Sequence, residues 1–148
     1  MNNNEKTLHF ISGLPRSGST LIANLFKQNP LIHGESVSSL ASLVGSVNSS
    51  WNQYETNKEY ANDKAKAGTI KGILNGYHSH IEKPIVMDKD RGWIPLIGVV
   101  EEVLQRKVKA IACVRSPAEI LSSFERLRRE NPLYFTQVDA ALREGSNI

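Results

Sequence analysis

Apolar residues fall in short dense runs, separated by stretches whose apolar positions recur at a helical period. Thr7–Ser12 has the length and density of a buried strand, and Ser19–Gln28 follows as an amphipathic helix that must end before Pro30. Leu31–Glu35 fits a short second strand. Ser38–Val47 predicts a weak helix, because its serines and Gly45 lower helix propensity. Ser49–Lys58 is polar around Trp51 and Tyr54 and predicts an exposed loop. From Glu59 to Lys83 the apolar positions Tyr60, Ala67, Ile70, Ile73, Leu74, Tyr77 and Ile81 keep a helical period, which Pro84 stops. Pro84–Asp88 then reads as a strand. Ile94–Arg106 reads as a helix burying Leu96, Ile97, Val99, Val100, Val103 and Leu104, and Lys109–Val114 as another strand. The next helix has a clear start: Ser116 as N-cap, Pro117 in the first helical position and Glu119 completing a capping box. Its apolar face is Ile120, Leu121, Phe124 and Leu127, and a short helix at Tyr134–Arg143 precedes a polar tail.

Strands that alternate with helices imply an α/β fold, a short parallel sheet with helices on both faces. Ligands of such sheets bind beyond the carboxyl ends of the strands. The 148 residues suit one domain, long enough to bury a real core, and contain no internal repeat.

Charge and composition narrow the function classes. The formal charge of +3 suits an anionic ligand but is too small and dispersed to indicate nucleic acid. Cys113 is the only cysteine, so no intramolecular disulfide forms; it lies in the apolar run Ala110–Val114 and reads as an inert core thiol in a reducing compartment. No apolar run reaches transmembrane length, and MNNNEK does not resemble a signal peptide. A soluble cytoplasmic domain with no membrane partner is the expectation.

The chemistry concentrates where the first strand ends. Gly13-Leu14-Pro15-Arg16-Ser17-Gly18-Ser19-Thr20 joins that strand directly to a helix, and amide N–H groups at such a junction converge on one point that the helix dipole makes attractive to anions. Gly13 and Gly18 have the spacing of a Walker A loop, yet Ser19 stands where its lysine belongs and the cation is Arg16, inside the loop. A glycine-rich turn kept for packing alone is the bland alternative. Three further charged residues follow strands: Glu35, Lys89 in Asp88-Lys89-Asp90, and Arg115. Ser123 lies on the helix after Arg115, on the face of Glu119 and Leu127, so Arg115 and Ser123 are placed to hold a second anion; simple packing or back-bonding of Ser123 fits the spacing equally. His78-Ser79-His80 looks like a metal pair but lacks a third ligand at suitable spacing, and Arg126, Arg128 and Arg129 read as a solvated helix face.

GLPRSGSTL resembles the 5′-phosphosulfate loop of sulfotransferases, closest in motif to the tyrosylprotein and carbohydrate-type members, which write it with Arg rather than Lys. CVRSPAEILSSFER has the form of their 3′-phosphate motif, an Arg at a strand end and a Ser eight positions later. MDKD resembles the segment whose Lys assists transfer, and NPLIHGESV the stretch that carries the acidic base. The resemblance spans roughly Phe10–Arg129, most of the chain. It implies a P-loop NTPase-like three-layer fold and transfer of a sulfuryl group from 3′-phosphoadenosine 5′-phosphosulfate to a hydroxyl acceptor, without a metal. Carried over residue by residue, it makes Arg16, Glu35 and Lys89 catalytic. It assigns donor binding to Arg16, Ser17, Gly18, Ser19, Thr20, Arg115 and Ser123. His33 is a rival to Glu35 as base, since some members use histidine.

Family members continue past the Arg…Ser helix into a basic, Gly-containing segment that closes over the nucleotide. Only Asn131–Ile148 follows that helix here, so a C-terminally short domain is expected, with a second subunit as one way to complete the site. Two other classes stay open: a small P-loop kinase or NTPase, which the missing lysine argues against, and a nucleotide-binding module without catalysis.

Overall fold

A computed structural model describes residues 6–59 and 62–131. Four strands form an all-parallel sheet in the order β2-β3-β1-β4: β1 (Thr7–Gly13), β2 (Ile32–Gly34), β3 (Ile85–Lys89) and β4 (Ala110–Cys113). Between and after them lie α1 (Ser19–Phe26), α2 (Leu40–Ser50), α3 (Glu55–Glu59), α4 (Asp63–Tyr77), α5 (Ile97–Leu104) and α6 (Pro117–Glu130). The chain divides into two compact units, the first ending at Val114 and the second beginning at Arg115 with α6.

Strand alternation sorts the core of the first unit into two faces. Leu8 and Phe10 of β1 and Val86 of β3 pack with Leu40, Ala41 and Val44 of α2, Ile70 and Leu74 of α4, Trp93, and Val100 of α5. Ile11 and Met87, one position out of phase, pack with Ala23 of α1, with Ile22, Phe26, Ile32, Ile111 and Cys113 around them. The sheet is therefore covered on both sides: an α/β fold in three layers. Phe10 and Trp93 anchor the larger face with ring centroids 4.2 Å apart, both fully buried. Such a tilted aromatic pair contributes about 0.5–1.5 kcal/mol beyond its buried area.

The path of the chain locates a crevice. β1 and β3 are neighbours, but β1 leads into α1 on one face while β3 leads through Arg91–Leu96 into α5 on the other. Adjacent strands whose connections part in this way open a cleft at their carboxyl ends, where ligands of α/β sheets bind.

Several elements differ from the sequence reading, each for a local reason. Ser49–Lys58 is helical rather than a loop: α2 runs to Ser50, with the Ser49 and Ser50 hydroxyls bonded back to the Ser46 carbonyl, and a 3-10 turn at Trp51–Gln53 leads to α3. The helix expected over Ile94–Arg106 is split, because Pro95 has no N–H for an α-helix interior. Residues Arg91–Leu96 form a 3-10 segment instead, and left-handed Gln105 ends α5. Ser116 stands at the N-cap position and Pro117 opens α6, but the Ser116 side chain makes no cap bond and the capping box does not form; Glu119 pairs with Arg115. The helix expected at Tyr134–Arg143 lies outside the described residues.

Gly34 is required by space, since a Cβ there would strike the Ala23 carbonyl of α1 and crowd Lys27 Cγ at 3.1 Å. We expect Gly34→Ala to destabilise the fold by roughly 1–3 kcal/mol through overpacking. Gly68→Ala, on an exposed stretch of α4 with nothing within 4 Å, should instead stabilise it, by roughly 0.5–1 kcal/mol. Urea denaturation at unchanged m-value distinguishes the two; a neutral Gly34→Ala would contradict the packing of α1 on β2.

Candidate anion-binding site

The loop after β1 is shaped by close approach and by backbone strain. A Cβ on Gly13 would meet the Cys113 carbonyl oxygen at 2.6 Å and Ser17 Oγ at 2.6 Å, so β4 and the loop close on this position and only glycine fits. Ser17 N–H donates to the Leu14 carbonyl at 3.1 Å, closing a turn with Pro15 second and Arg16 third. Arg16 has φ of 65°, a left-handed conformation that this place in a type II turn ordinarily reserves for glycine or asparagine. A non-glycine residue held there costs roughly 1–3 kcal/mol and marks a position that the surroundings over-determine. Here the strained residue is the loop's cation.

Gly18, with φ of 98°, turns the chain into α1 without any crowding. Its carbonyl accepts the Ile22 N–H at 3.1 Å, the first bond of the helix. The amides of Ser19, Thr20 and Leu21 precede that bond and have no intrahelical acceptor. Among the described residues no side chain caps this end, and no acidic residue lies in its first turn. Ser19 is buried and Thr20 exposed. Ser17 Oγ, beneath the loop, is shielded from solvent and has no hydrogen-bond partner among the described residues. A buried hydroxyl without a partner costs about 1–3 kcal/mol. An anion set against the helix start would supply the missing acceptor.

Glu35 and Lys89 stand at the same edge of the sheet. Glu35 extends β2 by one ladder bond, its N–H donating to the Met87 carbonyl at 2.9 Å. Lys89 ends β3 opposite Ile11 of β1. Alternation directs Lys89 toward the α1 face with Ile11 and Met87, and Glu35 toward the opposite face with His33 and Val86. His33 and Glu35, two apart on one strand, are joined by a 3.0 Å contact between His33 Nε2 and Glu35 Oε2, both half-buried. The two candidate bases thus form one pair.

Behind them lies a network that sequence reasoning missed. Asp88 has no solvent exposure; its Oδ1 accepts Trp93 Nε1–H at 2.7 Å, and its Oδ2 lies 2.8 Å from His78 Nε2. His78 therefore belongs to a buried carboxyl pair, and among the described residues no cluster suited to a metal occurs. The alternating phase of β3 held a clue, because Asp88 shares the face of Val86 and an inward carboxyl needs donors. The His33 and His78 rings stand 6.3 Å apart. Two hydrogen bonds fasten this edge to β1: Ser12 Oγ–H donates to the Arg91 carbonyl at 3.0 Å, and Asp90 N–H to the Ile11 carbonyl at 3.1 Å.

Arg115 and Ser123 belong to the second unit. Arg115 Nε lies 3.6 Å from Glu119 Oε2, and Ser123 is buried on α6. Among the described residues, no helix is long and apolar enough to cross a membrane. Comparison with known proteins gives no match, whether to family models, to curated proteins or to solved structures.

The left-handed penalty at Arg16, roughly 1–2 kcal/mol, exceeds the extra unfolded-state entropy of a glycine, about 0.4–1 kcal/mol. Arg16→Gly should therefore raise stability by about 0.5–1 kcal/mol in chemical denaturation. A loss of stability would show that the turn is not held against the residue's preference.

Proposed function

We propose that the chain is a sulfotransferase-type domain that binds 3′-phosphoadenosine 5′-phosphosulfate and moves its sulfuryl group to a hydroxyl acceptor. The observation that carries this reading is the buried Ser17 hydroxyl, without a partner among the described residues, beside a start of α1 that no described side chain caps, with Arg16 held in a strained conformation next to it. Such a combination is made for an anion of phosphate or sulfate shape. The lysine of a nucleoside triphosphate site is missing, Ser19 standing in its place, which favours a phosphosulfate over a magnesium-bound triphosphate.

In this reading the acceptor oxygen forms a bond to sulfur as the bond from sulfur to the 5′-phosphate oxygen breaks. The nucleotide leaves as the 3′,5′-bisphosphate. The acceptor proton passes to the Glu35–His33 pair; a positioned base of this kind commonly contributes about 10²–10⁴-fold. Arg16, Lys89 and the amides at the start of α1 stabilise negative charge growing on the departing phosphate. Ser17, Gly18, Ser19 and Thr20 hold the 5′-phosphosulfate, and Arg115 with Ser123 is assigned the 3′-phosphate. A reducing, cytoplasmic setting accords with the single Cys113.

Calorimetric titration with 3′-phosphoadenosine 5′-phosphate tests the assignment. We expect micromolar or tighter binding, independent of magnesium and weakened by Arg16→Ala and Ser123→Ala. Lys89→Ala should leave that affinity nearly intact while slowing transfer about 10²–10³-fold, as for removal of one donor to a developing anion. Folded protein that ignores the bisphosphate would sink the proposal. Magnesium-dependent binding and turnover of ATP would replace it with the kinase reading.

A further inference from the structure

A cavity of about 510 Å³ opens on the α4 face of the sheet, away from the loop after β1. Its floor is apolar: Leu8 and Val86, register partners at the second positions of β1 and β3, with Leu74 of α4 and Leu104 of α5. Three cations, Lys6, Lys71 and Arg106, contribute to the wall, and no acidic residue does among the described residues. The volume is within the range of small-molecule sites, roughly 300–1,000 Å³.

Two details make this more than a surface dent. Lys6 Nζ donates to the carbonyls of His78 and Ser79 at 2.8 and 3.0 Å, fixing one cation at the C-terminal end of α4. His78 also lines the cavity; it is 3% exposed, and its Nδ1 is buried without a hydrogen-bond partner among the described residues. Its Nε2 is already taken by Asp88. A polar nitrogen left in this state calls for a ligand group. The positive field at this end of the sheet is felt nearby as well, where burial, Lys109 and Arg106 together hold His9 below its usual pKa.

We propose that this cavity is a second ligand site, separate from the loop, for a small molecule that joins one anionic group to a short apolar body. The anion is drawn by Lys71 and Arg106, with the third donor of Lys6 beside them, and the apolar body covers Leu8, Leu74 and Val86. The site does not depend on the sulfotransferase reading, since it shares no residue with the loop.

Hexyl phosphate is a suitable probe, with inorganic phosphate as its headgroup alone. Binding is read by calorimetry and by the His78 ring signals in NMR. Hexyl phosphate should bind more tightly than inorganic phosphate and shift the His78 signals. Lys71→Glu, at an exposed position that tolerates the change, should weaken it by about tenfold or more, the effect expected for a lost charge-assisted contact. Arg16→Ala should leave the His78 response unchanged. The proposal is overturned if Arg16→Ala abolishes the His78 response while Lys71→Glu does not, if the two phosphates move the His78 signals alike, or if hexyl phosphate fails to move them.

Discussion

The carboxyl edge of this sheet depends on one buried side chain. Asp88 sits on an inner strand with no access to water, and a carboxyl group so placed must have donors or forfeit several kcal/mol. It finds them in Trp93 Nε1 and His78 Nε2, residues that reach it from opposite directions along the chain. That arrangement fixes the end of α4, the 3-10 segment after β3 and the phase of β3 itself. The phase of β3 in turn settles where its neighbours stand. Met87 receives the Glu35 amide, and Ile11 of β1 is opposite Lys89. A slip of one residue in β3 would turn Asp88 out and carry Lys89 to the opposite face.

Against this firm edge, the loop after β1 is held in a costly form. Gly13 is pressed between β4 and Ser17, Arg16 occupies a glycine conformation, and Ser17 Oγ lacks a partner among the described residues. Each feature alone has a packing explanation. Together they describe a cradle whose unmet needs are those an oxyanion satisfies: donors in search of an acceptor, a cation beside them, and an uncapped helix start.

Much of this was legible in the sequence because it follows from local rules. The apolar run Thr7–Ser12, the glycine-bounded loop and the helix behind it stand in the structure nearly as periodicity predicts, β1 gaining only Gly13. Proline explains what was misjudged: Pro95 limits α5, a restriction its apolar pattern does not display. Pro15 likewise foretells a turn at Leu14–Ser17, but not that Arg16 would take the left-handed place. The pairing of His78 with Asp88 was hidden because side chains ten residues apart meet only once α4 packs on the sheet. In the sequence, His78-Ser79-His80 has only the look of a metal pair without a third ligand. His33 and Glu35 were treated as rivals although strand alternation puts them side by side, and the structure joins them. Glu119 is a further case of local competition, its carboxylate going to Arg115 rather than to the helix start.

The central claim is that the amides and hydroxyl of Gly13–Thr20 receive the phosphate end of a nucleotide. The most direct test is a titration of isotope-labelled protein with 3′-phosphoadenosine 5′-phosphate, followed by amide NMR. The account predicts that the signals of Ser17, Gly18, Ser19 and Thr20 move first and furthest, without magnesium, and saturate with the rest of the site. Shifts confined to other parts of the sheet, or no response in those four amides, would contradict it.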